Sequence, residues 1–173
     1  VTILDESGLL NVNAIKGPDG QIDRRSVDQL LRLIDLLNRQ EKDERKRIGY
    51  GVVPCILDWI DSDDDVTHLS FVQRENLGAE DGHYRAQSPS CPCRNRPLDT
   101  VDDLLGVKGI TPEVLSRIGP YLTCVGDGKI NINAAPKLVI ESLCEEMDGA
   151  LAQMIVNQRR LGPFENPAQL RNL

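Results

Sequence analysis

The sequence predicts a mostly α-helical protein with only short strands, and three observations carry that prediction. Apolar residues recur at helical spacing in several blocks, strand-like alternation is confined to the first fifteen residues, and Pro and Gly mark helix starts and stops through the second half. At 173 residues, 40% of them hydrophobic, the chain is long enough for one domain or two small ones with a real core. Aromatics are only 3%, so Leu, Ile, Val and Ala must fill most of that core.

Residues 1–15 alternate apolar and polar on either side of Ser7-Gly8, which reads as two short strands around a tight turn. Pro18-Asp19-Gly20 is a turn signal. Asp23 then stands where an N-cap belongs, before Val27, Leu30, Leu31, Ile34 and Leu37 at helical spacing. The mixed charges of Glu41 to Arg47 read as a solvated helix end or linker, and Val53 to Ile60 as a second helix. From Asp61 to Pro97 the chain is rich in Asp, Gly, Ser, Pro and Asn, and so long an irregular stretch calls for something external, such as a metal, to order it.

The remainder looks helical and carries a weak internal repeat. Leu104-Leu105 lead into Gly106-Val107-Lys108-Gly109-Ile110, after which Thr111 caps a helix with Pro112 at its first position. Asn131 to Pro136 opens a helix through Leu143, and Asp148 or Gly149 starts another through Arg160. Gly162-Pro163-Phe164 ends it, and Asn166-Pro167 begins a last short helix.

The formal net charge of −7 disfavours nucleic acid and anionic membrane surfaces, and favours metal cations or basic protein patches. No stretch approaches the roughly 20 apolar residues of a membrane helix, and no signal sequence stands at Val1, so the expectation is a cytosolic or trimmed chain. Five cysteines are too few for a disulfide scaffold. Cys91-Pro92-Cys93 with His68 and His83 sketches a zinc site, but unpaired or singly bridged loop cysteines are the plainer reading.

The chemistry concentrates in one place. Asp58, Asp61, Asp63, Asp64 and Asp65 lie within eight positions, and Glu80 and Asp81 follow after a loop. Carboxylates at i, i+2 and i+4 in an irregular segment can turn several oxygens to one centre, as calcium requires. Aspartates just beyond a helix C-terminus are also opposed by its dipole and by one another, and a divalent cation relieves both. The spacing is not an EF-hand, because Val66 and Val72 occupy the Gly and Glu positions. A solvated acidic loop remains the competing reading at this level. Nothing resembles a nucleophile elbow, phosphate loop or zinc-protease motif, so no catalytic residue is assigned.

Taken together, the motifs resemble a known family. Asp5 to Asn13 looks like an early "D-x-x-G-x-x-N-x-N" strand, Asp58-Trp59-Ile60-Asp61-Ser62-Asp63 like "DWID-x-D", and Gly78 to Tyr84 like "GAED-x-x-Y". Asn95-Arg96-Pro97-Leu98 and Asn131-Ile132-Asn133-Ala134-Ala135 fit the same pattern. These resemble the K minor pseudopilins of bacterial type II secretion over nearly the whole chain, while a long Val66–Leu77 segment and Cys91-Pro92-Cys93 depart from it.

The resemblance implies a helical domain with helix-hairpin-helix-like (SAM-like) units inserted in a pseudopilin α+β scaffold. Scaffold strands would cover 1–15, a first helical part with the acidic loop 16–97, and a helix-hairpin-helix-like part 98–173. It implies calcium held by Asp61, Asp63, Asp65, Glu80 and Asp81, and no enzymatic activity. It further implies a periplasmic head of an inner-membrane protein, met by the membrane only through an N-terminal helix lying outside this sequence. The minor pseudopilins I and J would be its partners at the pseudopilus tip, with a secreted substrate or the outer-membrane secretin as further contacts. The alternative is a DNA-binding helix-hairpin-helix protein of the competence type. Against it, the second hairpin carries Glu145, Glu146 and Asp148, which repel the phosphate they would have to cradle.

Overall fold

The computed structural model describes residues 5–17, 19–73 and 75–172. Its longest element is α1, Arg24–Gln40. Asp23 caps it by accepting from the Ser26 N–H at 3.3 Å, and Val27, Leu30, Leu33, Ile34 and Leu37 form the buried stripe. At the other end Arg117 reaches the carbonyls of Leu37 (3.0 Å) and Lys46, setting a cation against the negative end of the helix. Helix α2, Val52–Ile60, is buried at every position and forms the centre of the molecule. The indole of Trp59 packs on Gly106, where a Cβ would lie 3.0 Å from its Cη2.

The two strands expected around Ser7-Gly8 do not form as such. Glu6–Gly8 is a 3-10 turn, β1 is only Leu10–Asn11, and Val12–Ile15 is again a 3-10 turn. Side chains explain the interruption: Asp5 accepts from the Ser7 N–H at 3.0 Å and Asn11 from the Asn13 N–H at 2.9 Å. Part of the expected first strand lies outside the described residues. The partner of β1 is distant: β2, Leu122–Thr123, runs parallel to it with Leu10 opposite Leu122.

Between α2 and the second half, His68 bridges Leu77 in a small antiparallel turn, and Leu69 is driven into the core. The short helix α3, Asp81–Arg85, follows and lays Tyr84 edge-on against Trp59. Three more α-helices follow among the described residues: α4, Pro112–Ile118, capped by Thr111; α5, Lys137–Glu141; and α6, Gly149–Gln158, capped by Asp148, with the last short helix a 3-10 turn over Pro167–Asn172. Helix α5 packs on α6 and on α1. One hydrophobic cluster runs from Leu10 through α1 and α2 to Ile155.

The internal repeat is real but differently registered from the one legible in the sequence. Asn13 takes the Leu98 N–H at 2.8 Å and gives its amide to the Leu98 carbonyl at 3.0 Å. Asn133 does the same to Phe164, at 2.8 and 3.0 Å. Five residues on, Asp103 accepts from the N–H groups of Asp99 and Thr100, and Gln169 from those of Glu165 and Asn166. The repeating unit is thus an Asn-x-Asn turn clasping a later 3-10 turn. The long excursion through Asp61–Pro97 separates the two parts of the first copy and hides the correspondence.

Candidate metal centre

Asp58 and Asp61 stand one helical turn apart at the C-terminal end of α2 and C-cap, and so face the same way. Glu80 comes to them from the other side on the extended Leu77–Glu80 segment. Gly78 makes that approach possible, since its backbone lies where any side chain would strike the Asp58 carboxylate. One carboxylate oxygen from each of Asp58, Asp61 and Glu80 lies within 4.8 Å of the other two. All three residues are nearly sealed from solvent, at 0%, 6% and 5% exposure.

Two of the six oxygens have partners: Asp58 Oδ1 accepts from the Thr67 N–H at 2.9 Å, and Asp61 Oδ2 lies 3.0 Å from Lys16 Nζ. Asp58 Oδ2, Asp61 Oδ1 and both oxygens of Glu80 are buried with no hydrogen-bond partner among the described residues. Burial pushes the carboxyl groups of Asp58 and Asp61 above their ordinary range. Glu80 is pushed up to about 7, first by burial and then by the charges of Asp58 and Asp61. Three acids so placed repel one another at neutral pH, and unpaired buried charges are strongly unfavourable. A hard divalent cation answers every part of the arrangement, because it wants several anionic oxygens converging in a dry site.

Of the residues singled out from the sequence, Asp61 and Glu80 meet in this centre. Asp63 is half exposed, with its Oδ2 3.8 Å from Lys16 Nζ and its Oδ1 accepting from the Asp65 N–H. Asp65 is exposed. Asp81 turns away: it accepts from the Cys93 N–H at 3.0 Å and pairs with Arg85, which holds its carboxyl below the usual range. Asp58 completes the trio and was legible in principle. A lone Asp inside the all-apolar last turn of a buried helix, three residues before Asp61, has no other place to send its charge.

Both hairpins that resemble DNA-binding units use several of their backbone donors internally. The Lys108 N–H donates to the Tyr84 hydroxyl at 3.2 Å. The Asp148 carboxylate accepts from the N–H groups of Ala150 and Leu151 at 2.9 and 2.8 Å, where a phosphate would have to bind. Among the described residues no helix is long and apolar enough to cross a membrane.

The fold and the centre define a class: a helical domain of repeated clasped units, organised around a buried carboxylate trio. Residues 8–127 match the first-domain description of type II secretion system (T2SS) protein K, and residues 130–173 match a second description of the same protein. The chain belongs to the type II secretion system protein K family.

Among curated relatives, the type II secretion system protein K of Klebsiella pneumoniae is 28% identical over 134 residues, 76% of this chain and 37% of its own length. A putative type II secretion system protein K of Escherichia coli K12 is 32% identical over 82 residues, 47% of this chain and 23% of its own. The chain therefore spans well under half the length of these relatives. Its fold is also that of a chain in the GspK-GspI-GspJ complex from enterotoxigenic E. coli, with a TM-score of 0.73 at 24% identity, covering 98% of this chain and 56% of that one.

Proposed function

We propose that this chain is the head of a minor pseudopilin, a structural subunit whose shape is held by calcium at Asp58, Asp61 and Glu80. The observation that carries the calcium reading is the set of four buried carboxylate oxygens without a hydrogen-bond partner. Bound calcium would supply the positive charge that these oxygens lack, and would tie the end of α2 to the segment that carries Glu80. The exposed Asp63 and Asp65 lie near enough in sequence to contribute from the rim.

Membership of the protein K family and likeness to a chain crystallised with GspI and GspJ support the I and J minor pseudopilins as partners, and on this reading the head would stand on the periplasmic side of the inner membrane. A bulky helical head on a pilin-like subunit blocks addition of another subunit above it, which suits a cap at the tip of a pseudopilus serving protein export.

The calcium reading is tested by stripping the chain with a chelator and following thermal unfolding as calcium returns. A rise of several degrees is expected at millimolar calcium, with a smaller one for magnesium, which dehydrates reluctantly and prefers a strict octahedron. An unmoved midpoint, with no calcium retained on a desalting column, overturns it. The assembly reading is tested separately by co-purifying the full-length protein with its I and J partners. Survival of that complex and of secretion after deletion of the helical head would exclude the tip cap.

A further inference from the structure

We infer that Lys16 is a built-in counter-ion of the carboxylate centre, a specificity-determining residue that sets the site for a divalent rather than a trivalent cation. The inference rests on the calcium reading of that centre and deepens it. Lys16 lies in the stretch between β1 and α1, remote in sequence from the acids, and its backbone is held by an antiparallel bridge to Ile22. From there its Nζ reaches Asp61 Oδ2 at 3.0 Å and Asp63 Oδ2 at 3.8 Å, with the side chain only 19% exposed. It is the one cation in ion-pair contact with Asp58, Asp61 or Glu80 among the described residues.

Deprotonated Asp58, Asp61 and Glu80 contribute −3 and the ammonium lowers this to −2, with the half-exposed Asp63 carboxylate sharing the ammonium at the rim. The same contact takes up one oxygen of Asp61 and leaves Oδ1 free towards the centre. An ammonium so close repels any cation in the site, and that repulsion scales with the cation's own charge. Lys16 therefore penalises a trivalent ion half as much again as a divalent one of similar radius. Replacing it with a neutral side chain tightens binding of both and favours the trivalent ion more.

The experiment compares the chelator-stripped wild-type chain with Lys16→Met, Lys16→Gln and Lys16→Arg. Calcium affinity is read by calorimetry. Terbium affinity is read by luminescence sensitised through Trp59, the chain's single tryptophan, which is adjacent to Asp58. The expected result is a terbium-to-calcium affinity ratio at least about tenfold higher in Met and Gln than in wild type, with calcium binding itself tightened and Arg keeping the wild-type ratio. A purely structural part for Lys16 would lower both affinities together and leave the ratio alone. Two neutral variants guard against one of them failing to fold. A wild-type chain that binds calcium, with a ratio unchanged within about twofold in both neutral variants, overturns this inference and leaves the calcium reading standing. A wild-type chain that binds no calcium overturns both.

Discussion

Gly78 lies so close to Asp58 that a Cβ on it would stand 2.6 Å from the Asp58 Cγ and 2.8 Å from the Pro54 carbonyl oxygen. The close approach of bare backbone is what lets Glu80 arrive beside α2. Gly78→Ala should cost about 2–4 kcal/mol in urea unfolding, since neither a buried carboxylate nor a helix backbone can step aside cheaply. Gly82→Ala is the control: its Cβ would meet nothing within 4 Å, and in helix α3 the change should be neutral or slightly stabilising. Equal losses at the two positions would remove Gly78 from the architecture of the centre.

The metal-free protein should respond to pH in the reverse of the usual carboxylate sense. Burial raises Glu80 from 4.5 to about 7 in the folded chain, so the folded state holds its proton more tightly than the unfolded one. The stabilisation from that proton is complete below about 4.5 and is lost as pH rises towards and through 7, a change on the order of 3 kcal/mol from this group. Asp58 and Asp61, also raised by burial, act in the same sense. In chelator, melting temperature should therefore fall between pH 5 and 8 apart from general charge effects, and Glu80→Gln should flatten the slope. With calcium present the slope should shrink or invert, because protons then compete with the ion.

Asn13 holds three backbone partners, the N–H and carbonyl of Leu98 and the carbonyl of Cys124. Asn13→Ala strands those part-buried groups and should destabilise the chain by about 2–4 kcal/mol. Asn13→Asp keeps the acceptor and loses both donations, and should cost nearly as much. Asn133→Ala breaks the equivalent clasp on Phe164 and should cost less, since its side chain reaches two backbone groups there rather than three. Calorimetric melting of the three variants ranks them.

Gel retardation at low salt should show no DNA complex. The Asp148 carboxylate occupies the first N–H groups of α6, and Glu145 and Glu146 stand exposed beside it. A salt-sensitive micromolar complex would contradict this.

Helices α1, α4 and α6 were legible because each carries a local signal, whereas α3, with no side-chain cap, lies inside the stretch that reads as irregular. Asp23 announces α1, Thr111-Pro112 announces α4, and Asp148 announces α6, all within a few residues of the bonds they make. The acidic centre was legible as a region but not as a set. Aspartates 61, 63 and 65 look equivalent in sequence, yet only the first sits on the turn that faces Asp58. What selects Glu80 over Asp81 is the backbone path past Gly78 and the competing claim of Arg85 on Asp81, neither of which has a periodic signature. The strands were misread for the opposite reason: alternation was present, but Asp5 and Asn11 turn the backbone with their own side chains. The partner of β1 lies more than a hundred residues away, beyond the reach of any local rule.

That distant pairing has a consequence for how the molecule is made. Asn13 and the Cys124 carbonyl are 111 residues apart, and the parallel bonds of Leu10–Asn11 to Leu122–Thr123 close a loop of similar size. A chain that emerges N-terminus first must therefore carry Leu10 without its strand partner until the 120s have appeared, although in the finished protein it is buried. Helices α1 and α2 and the Val12–Ile15 turn can meet early, but β1 must wait for β2, and that closure is set by a slow search across a long polymer loop. The β1–β2 seam should thus be among the last parts of the domain to form, leaving its apolar residues accessible to holding chaperones or proteases until then.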